Sequence, residues 1–490
     1  MHTKLSKYLY KGVSMKQFST LSLCSEIHRS LTELQYQTMT PVQELTIPLL
    51  LDHQSLIVKA ETGSGKTAAY GIPLLEHLTW IENKPQALII APNRELVIQI
   101  AEDLNQIGRY KRMKALPIYG RASIKEQQLA LKQKNHIITA TPGRLMDLIE
   151  RQSISLEKLE YLILDEADEL LREEFFRQLA SVFEQIPTSC TIALYSATLN
   201  EHITQIPNLH HAAFTTVDAT NMVQLKIEEQ TYAVTEREKL TALQTLLSFH
   251  PNQGGIIFTN TKTSAEKIYR FLSKLDISVA YMHSDLEQRH RIRNMNAFKS
   301  GFYRYLVTTD LNARGIDVDG IDLVLNYDLP TTPANYTHRI GRIGRNGRCG
   351  VALNLVTPDQ ELYLRRIEKL IGRTLDFSEF PASNLSTPPT DTTKELVKRE
   401  KKGTFVGTDI TKLYINGGKR KKLRAADIVG TICSIPTITP EDIGIIEIKE
   451  NETYVEILNN KANITLLGLR ERNIKGRKYK VHIAKSKNIF

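Results

Sequence analysis

Two sets of short, mostly apolar runs, each four residues long and separated by longer amphipathic stretches, succeed one another in this chain. Ser55–Val58, Ala87–Ile90, Ile137–Ala140, Tyr161–Leu164 and Thr191–Leu194 make the first set. Gly255–Phe258, Ser278–Tyr281, Tyr305–Thr308, Leu323–Asn326 and Val351–Asn354 make the second. Runs that are apolar on both faces belong in sheets covered on both sides, which means parallel strands joined by helices. The pattern predicts two α/β domains in tandem, residues 16–217 and 221–376, with a cleft between them.

A different pattern follows. Between residues 377 and 406, Ser, Thr and Pro and then Lys and Glu displace any apolar period, which reads as a linker. Residues 407–486 then predict strand, helix, strand, strand, helix, strand, a βαββαβ order that fits a ferredoxin-like or RRM-like fold. Tyr414 and Tyr454 are the aromatic candidates on its strands, too few for a confident base-stacking face. Of the formal net charge of +10, residues 408–490 supply seven, with sixteen Lys or Arg against nine Asp or Glu. Basic clusters favour polyanions through phosphate contacts and counterion release.

No run of eighteen apolar residues occurs, and the first twenty lack the apolar core of a signal peptide, so a cytoplasmic protein without a membrane partner is expected. Cys24, Cys190, Cys349 and Cys433 form no C-x-x-C pair. They are expected to be small buried hydrophobes instead of metal ligands or disulfides.

Three stretches carry the chemistry. Ala60-Glu61-Thr62-Gly63-Ser64-Gly65-Lys66-Thr67 follows a predicted strand and precedes a helix. The glycines let backbone N–H groups approach phosphate oxygens, Lys66 adds charge at the outer phosphates, and the Thr67 hydroxyl suits magnesium. Asp165-Glu166-Ala167-Asp168 follows another apolar strand, placing Asp165 as a magnesium partner and Glu166 as a group to orient or deprotonate water. His338-Arg339-Ile340-Gly341-Arg342-Ile343-Gly344-Arg345 lies in the second domain, so Arg342 and Arg345 act as arginine fingers only when the domains close.

With these in place the chain resembles a DEAD-box ATP-dependent RNA helicase over nearly its whole length. The resemblance implies two RecA-like domains, ATP and Mg2+ as cofactors, and RNA as partner. Phe18 and Gln43, in Thr40-Pro41-Val42-Gln43, resemble the adenine-reading Q motif. Asn93-Arg94-Glu95 and Thr141-Pro142-Gly143-Arg144 match RNA-backbone motifs, with Arg94, Thr141, Gly143 and Arg144 as contacts, and Ser196-Ala197-Thr198 matches the motif linking hydrolysis to unwinding. In the second domain Gln288 with Arg291, and Thr309-Asp310 through Asp317, match further RNA and ribose motifs. Arg291 and Thr309 are expected on RNA and Asp317 on the ribose. Asn93, Arg121, Ser284, Asn312 and Ile343 depart from the family pattern.

The C-terminal unit resembles the RNA-binding domain of the DbpA helicases through Leu413-Tyr414-Ile415-Asn416-Gly417-Gly418 and Ile474-Lys475-Gly476-Arg477. Lys419, Arg420, Lys421, Lys422 and Arg424 are its expected RNA contacts. That group implies a monomer that finds a 23S ribosomal RNA hairpin in a pre-50S particle. A general RNA-remodelling helicase and an ATP-gated RNA clamp remain as alternatives. Residues 1–15 match no motif, which leaves open an N-terminal extension or translation starting at Met15.

Overall fold

The computed structural model describes residues 16–61, 63–171, 173–199, 203, 206, 213–220, 226–250, 253–283, 285–310, 321–344, 349–380 and 410–484. The expected N-terminal extension, most of the expected linker, Thr62, Ser284, Asn312, Asp317 and Arg345 lie outside the described residues.

The first domain is a seven-stranded sheet in the order β3-β4-β2-β5-β6-β1-β7, with every pairing parallel. Its strands are β1 (Ser55–Lys59), β2 (Ala87–Ile90), β3 (Ala115–Ile118), β4 (Ile137–Ala140), β5 (Tyr161–Asp165), β6 (Thr191–Ser196) and β7 (Phe214–Asp218). The period of two splits each central run between two apolar clusters. Leu56, Val58, Ile89, Ile163 and Ala193 face one layer of helices, while Ile57, Leu88, Ile90, Leu162 and Leu194 face the other. Hence the runs look uniformly apolar in sequence.

The second domain repeats this logic in a six-stranded parallel sheet ordered β10-β11-β9-β12-β13-β8. Its strands are β8 (Lys226–Ala233), β9 (Gly255–Phe258), β10 (Val279–Met282), β11 (Tyr305–Thr308), β12 (Leu323–Asn326) and β13 (Cys349–Val356). Ile343, one of the departures from the family pattern, is fully buried in the cluster with Ile256 and Phe258. Phe377 bridges to Thr231 and Phe380 packs on Tyr232, so the first four residues of the expected linker are tied to this sheet.

The C-terminal unit has the expected βαββαβ order: β14 (Thr411–Ile415), the Ala425–Cys433 helix, β15 (Ile443–Ile448), β16 (Thr453–Ile457), the Ala462–Glu471 helix and β17 (Val481–Ile483). The sheet is antiparallel, in the order β15-β16-β14-β17. Leu413, Ile415, Val455 and Ile457 meet Ile428, Ile432, Leu466 and Leu469 of the helices in one core. The opposite face carries Lys412, Tyr414, Tyr454 and His482, with Tyr414 packed on both Tyr454 and His482.

The cysteine expectation needs correction. Cys190 is buried, but Cys24 and Cys433 are half-buried and Cys349 is exposed at the start of β13. All four are free thiols.

Arg339 is the largest fully buried side chain among the described residues. Its guanidinium donates twice to Asp310 (2.5 and 2.9 Å), and also to Oδ1 of Asn326 (3.0 Å), the Asp328 carbonyl (2.6 Å) and Oδ1 of Asn260 (3.1 Å). These partners sit at the C-terminal ends of neighbouring strands β11, β9 and β12, which Arg339 ties together. Removing one partner of a buried ion pair typically costs about 3–5 kcal/mol. Arg339→Met should therefore lower the urea midpoint of the second domain by a corresponding amount, and an unchanged unfolding curve would show the network to be dispensable.

Candidate functional site

Parallel register decides what meets at the cleft. Lys59 at the end of β1 lies opposite Ser196 at the end of β6, and Asp165 at the end of β5 lies opposite Tyr195. The loops leaving these strands emerge side by side at the carboxyl edge of the sheet, where open α/β sheets bind ligands.

The loop after β1 enters the Lys66–His77 helix through Gly63 (φ +82°) and Gly65 (φ +92°), conformations that suit glycine alone. A Cβ at Gly65 would also lie 2.5 Å from Nε2 of Gln43. That nitrogen donates to the Gly65 carbonyl (3.1 Å), Oε1 of Gln43 accepts from the Thr40 amide (2.8 Å), and the Thr40 hydroxyl donates to the Ser64 carbonyl (2.7 Å). The Q-motif helix is thus bonded directly to the phosphate loop. Gln43 keeps its second N–H for a ligand. Phe18 is buried and stacks on Tyr36 at 5.7 Å, as part of the wall beside that helix.

Lys66, Asp165 and Glu166 are all buried. Nζ of Lys66 makes no hydrogen bond and lies 3.6 Å from Oδ1 of Asp165. Oε2 of Glu166 and Oδ1 of Asp168 also lack hydrogen-bond partners. Buried polar atoms left unsatisfied cost about 1–3 kcal/mol each. A polyphosphate with a hydrated divalent cation would supply what they lack, anionic oxygens for the ammonium and a cation or its waters for the carboxylates, so the donor set fits Mg2+ and a nucleotide.

Glu166 has a left-handed backbone, φ 54° and ψ 52°, at the start of the Ala167–Leu170 turn. A non-glycine residue held there costs about 1–2 kcal/mol, strain of the kind that collects at functional sites. Burial pushes its carboxyl up to about 7; Lys66 opposes the rise, Asp165 adds to it and Arg342 opposes it. Arg342 belongs to the second domain, so the two domains are close enough for its field to reach the acidic turn. Its side chain is buried and its Nε donates to the His338 carbonyl (3.2 Å).

A second contact crosses the cleft. Arg291, expected on RNA, lies 2.7 Å from the Glu95 carboxylate of the first domain, with both side chains largely withdrawn from water. Ser196 donates to the Thr198 carbonyl (2.6 Å), and the Thr198 hydroxyl donates to Oδ2 of Asp168 (2.8 Å). The motif after β6 is therefore bonded to the acidic turn through Asp168, a residue to which sequence alone assigns no role.

The expected RNA residues are placed unevenly. Asn93 accepts from the Leu96 amide (2.9 Å) and caps the Arg94–Ile107 helix, work that Asn does as well as Thr. Arg94 is half-buried, and burial first, then Arg121, lowers its pKa. Arg121 is exposed with φ +60°, a conformation natural to the glycine usual in the family. Arg144 donates to the Ala122 carbonyl (3.1 Å) and to Gln127 (2.9 Å), so it braces the loop that presents Arg121. Thr141 leads into the Pro142–Glu150 helix, whose Gly143 faces open space, leaving that N-terminus approachable by an anion. Thr309 follows β11, next to Asp310 of the Arg339 network.

In the C-terminal unit, Lys419–Lys421 form a 3-10 turn, and Arg420, Lys421, Lys422 and Arg424 are exposed. A Cβ at Gly417 would sit 2.3 Å from the Tyr479 ring and one at Gly418 2.2 Å from the Lys449 carbonyl, so both glycines seat this loop. Lys475 Nζ donates to the Lys422 carbonyl (2.7 Å), which joins two motifs far apart in sequence into one basic edge.

The Glu95–Arg291 pair gives closure a measurable handle. In a double-mutant cycle of Glu95→Gln and Arg291→Gln, the coupling on RNA affinity with a non-hydrolysable nucleotide should be roughly 1–3 kcal/mol, since both charges are mostly desolvated. Additive effects would mean that the pair does not stabilise the closed form.

Comparisons with known proteins agree with this geometry. The DEAD/DEAH box helicase model matches residues 40–206, the helicase conserved C-terminal domain residues 238–347, and the DbpA RNA binding domain residues 412–483. The chain is 40% identical over 477 residues to the ATP-dependent RNA helicase DbpA of Bacillus subtilis, covering 96% of this chain and all of that protein. It is 37% identical over 364 residues to the DEAD-box ATP-dependent RNA helicase CshA of Geobacillus kaustophilus, covering 74% of this chain and 78% of that one. Among solved structures, Mss116p bound to ssRNA and AMP-PNP superimposes with a TM-score of 0.70 at 26% identity, over 77% of this chain and 82% of that one. S. cerevisiae Dbp5 bound to RNA and ADP BeF3 gives 0.68 at 29% identity, over 78% and 99%. Sheet order, the bonded phosphate loop and acidic turn, and the match along the full length together show that the chain belongs to the DEAD-box ATP-dependent RNA helicases of the DbpA type.

Proposed function

We propose that this helicase remodels structured ribosomal RNA during large-subunit assembly, with its C-terminal unit holding a 23S hairpin while the two sheets act on a neighbouring duplex. The observation that carries the address is the basic edge of Lys419–Lys422 and Lys475, seated by Gly417 and Gly418 in the segment that matches the DbpA RNA binding domain. A tethered domain raises the effective concentration of the core at its target. Address and chemistry then lie on separate parts of one chain, which acts as a cytoplasmic monomer and assembles its site without a second copy.

In this reading Gln43 and Phe18 receive the adenine, Gly63, Ser64, Gly65 and Lys66 hold the phosphates, and Thr67 and Asp165 hold Mg2+. Bound there, the cation would offset the negative charge of the phosphates. Glu166 orients the attacking water and takes its proton, Arg342 brings positive charge from the second domain, and Thr198 reports the state of the acidic turn through Asp168. Arg94, Arg121, Thr141, Gly143 and Thr309 line the path of the strand, and Arg291 contributes through Glu95. Thr62, Arg345 and Asp317 keep the roles that the family resemblance implies.

Because Glu166 must be ionised to accept a proton, kcat/KM for ATP at saturating RNA should rise with pH through about 7 and then level off. The linkage sign agrees. A raised carboxyl pKa favours the neutral form in the fold, and that stabilisation is present below the ordinary carboxylate range and lost as pH rises through about 7. Glu166→Gln should bind ATP and RNA yet lose turnover by roughly 100-fold or more; undiminished hydrolysis would remove the residue from its role.

ATPase stimulation by a 23S hairpin fragment should exceed that by unrelated RNA of equal length. Replacing Lys419, Arg420, Lys421 and Lys422 by Gln should abolish the difference and flatten the salt dependence, since each lost phosphate contact lowers the slope of log K against log salt by about one. Equal stimulation by both RNAs would favour a general remodelling helicase. Binding without displacement of a short duplex would favour an RNA clamp.

A further inference from the structure

Tyr70 lies in the helix that begins at Lys66, one turn beyond Thr67, and is fully buried. Its hydroxyl donates to Oδ2 of Asp165 at 3.0 Å. The other oxygen of that carboxylate accepts from the Glu166 amide (2.9 Å) and faces Lys66 Nζ at 3.6 Å. A tyrosine hydroxyl has one proton to give, and an ionised carboxylate can only accept. The proton of Tyr70 therefore points at Asp165. Burial, and then the charge of Asp165, holds the phenol well above its ordinary pKa, so it keeps that proton at any working pH.

This bond restrains one oxygen of Asp165 while the Glu166 amide holds the other, and together they limit rotation of the carboxylate. The ring is held in turn by Tyr195, edge-on at 5.3 Å, whose hydroxyl donates to Thr46 of the Pro41–Leu51 helix (3.3 Å).

We propose that Tyr70 is a positioning residue for the divalent cation, holding the Asp165 carboxylate through one buried hydroxyl. The proposal rests on the assignment of Asp165 to Mg2+ made above. It makes the Tyr70 hydroxyl matter for the metal-dependent part of nucleotide binding and not for the rest.

The test is calorimetric titration of the full-length chain with AMP-PNP, in EDTA and in MgCl2, for the wild type, Tyr70→Phe and Tyr195→Phe. Tyr70→Phe keeps the ring and removes one oxygen. It should leave affinity in EDTA within twofold of wild type while reducing the enhancement by Mg2+ roughly tenfold, the scale of a lost hydrogen bond to a charged group. ATPase assays on Tyr70→Phe should show a matching rise in the Mg2+ concentration for half-maximal rate, with kcat recovered at high Mg2+. Tyr195→Phe removes a buried hydroxyl of the same kind from the adjoining ring and should leave the Mg2+ enhancement as in wild type.

An unchanged enhancement in Tyr70→Phe overturns the proposal, as does an equal loss in EDTA and in Mg2+, a comparable shift in Tyr195→Phe, or failure of Tyr70→Phe to fold, each of which would make the hydroxyl structural. A wild-type protein with no Mg2+ enhancement would instead overturn the assignment of Thr67 and Asp165, and this proposal with it.

Discussion

Much in this molecule depends on the parallel pairing of β1 and β5 to β6 with their carboxyl ends level. That register sets the phosphate loop, the acidic turn and the Ser196–Thr198 segment side by side. A slip of one residue would turn every side chain of a strand to the other face and exchange its two apolar layers. The burial of Leu56 and Val58 on one side and Ile57 on the other makes such a slip prohibitive. Core packing therefore sets the positions of Lys66, Asp165 and Glu166 at the carboxyl edge of the sheet.

The price of gathering Lys66, Asp165, Glu166 and Asp168 in one dry pocket is visible in its unfinished state. Polar atoms there lack partners, Glu166 is held with positive φ, and its carboxyl titrates near neutrality. The second domain supplies part of the compensation through the charge of Arg342. Arg339, three residues before Arg342 in the same motif, does the opposite work: every direction of its guanidinium is satisfied internally, which leaves it a brace for three strand ends. Neighbouring residues of one motif thus divide into a scaffold and a buried charge whose field reaches the acidic turn.

How much of this could be read from the chain follows a physical rule. Central strands such as β2, β4, β9, β11 and β12 were legible to the residue because both of their faces are buried and their sequences are mostly apolar runs. The strands that escaped sequence reading, β3, β7 and β8, all lie at sheet edges. There one flank is open, burial is partial, and a proline in β3 or the polar residues of β8 are tolerated. The βαββαβ unit was legible in element order, with its last strand expected over Lys478–Ile483 and found at Val481–Ile483. Among site residues, the phosphate loop and acidic turn announce themselves because their chemistry is local. Tyr70, Asp168 and the Glu95–Arg291 pair do not, because their partners are 95, 30 and 196 positions away.

By itself the sequence determined two parallel-sheet domains, a basic α/β appendage, the phosphate loop, the acidic turn and the arginine motif, since each is written in contiguous residues whose periodicity or spacing carries the information. Only the tertiary structure decided which arginine braces and which faces the acidic turn, that Arg291 and Arg144 hold protein groups, and that Tyr70 holds the Asp165 carboxylate. Those roles depend on distances across a folded interior, and a local pattern cannot encode which side chain burial will bring within three ångströms of another.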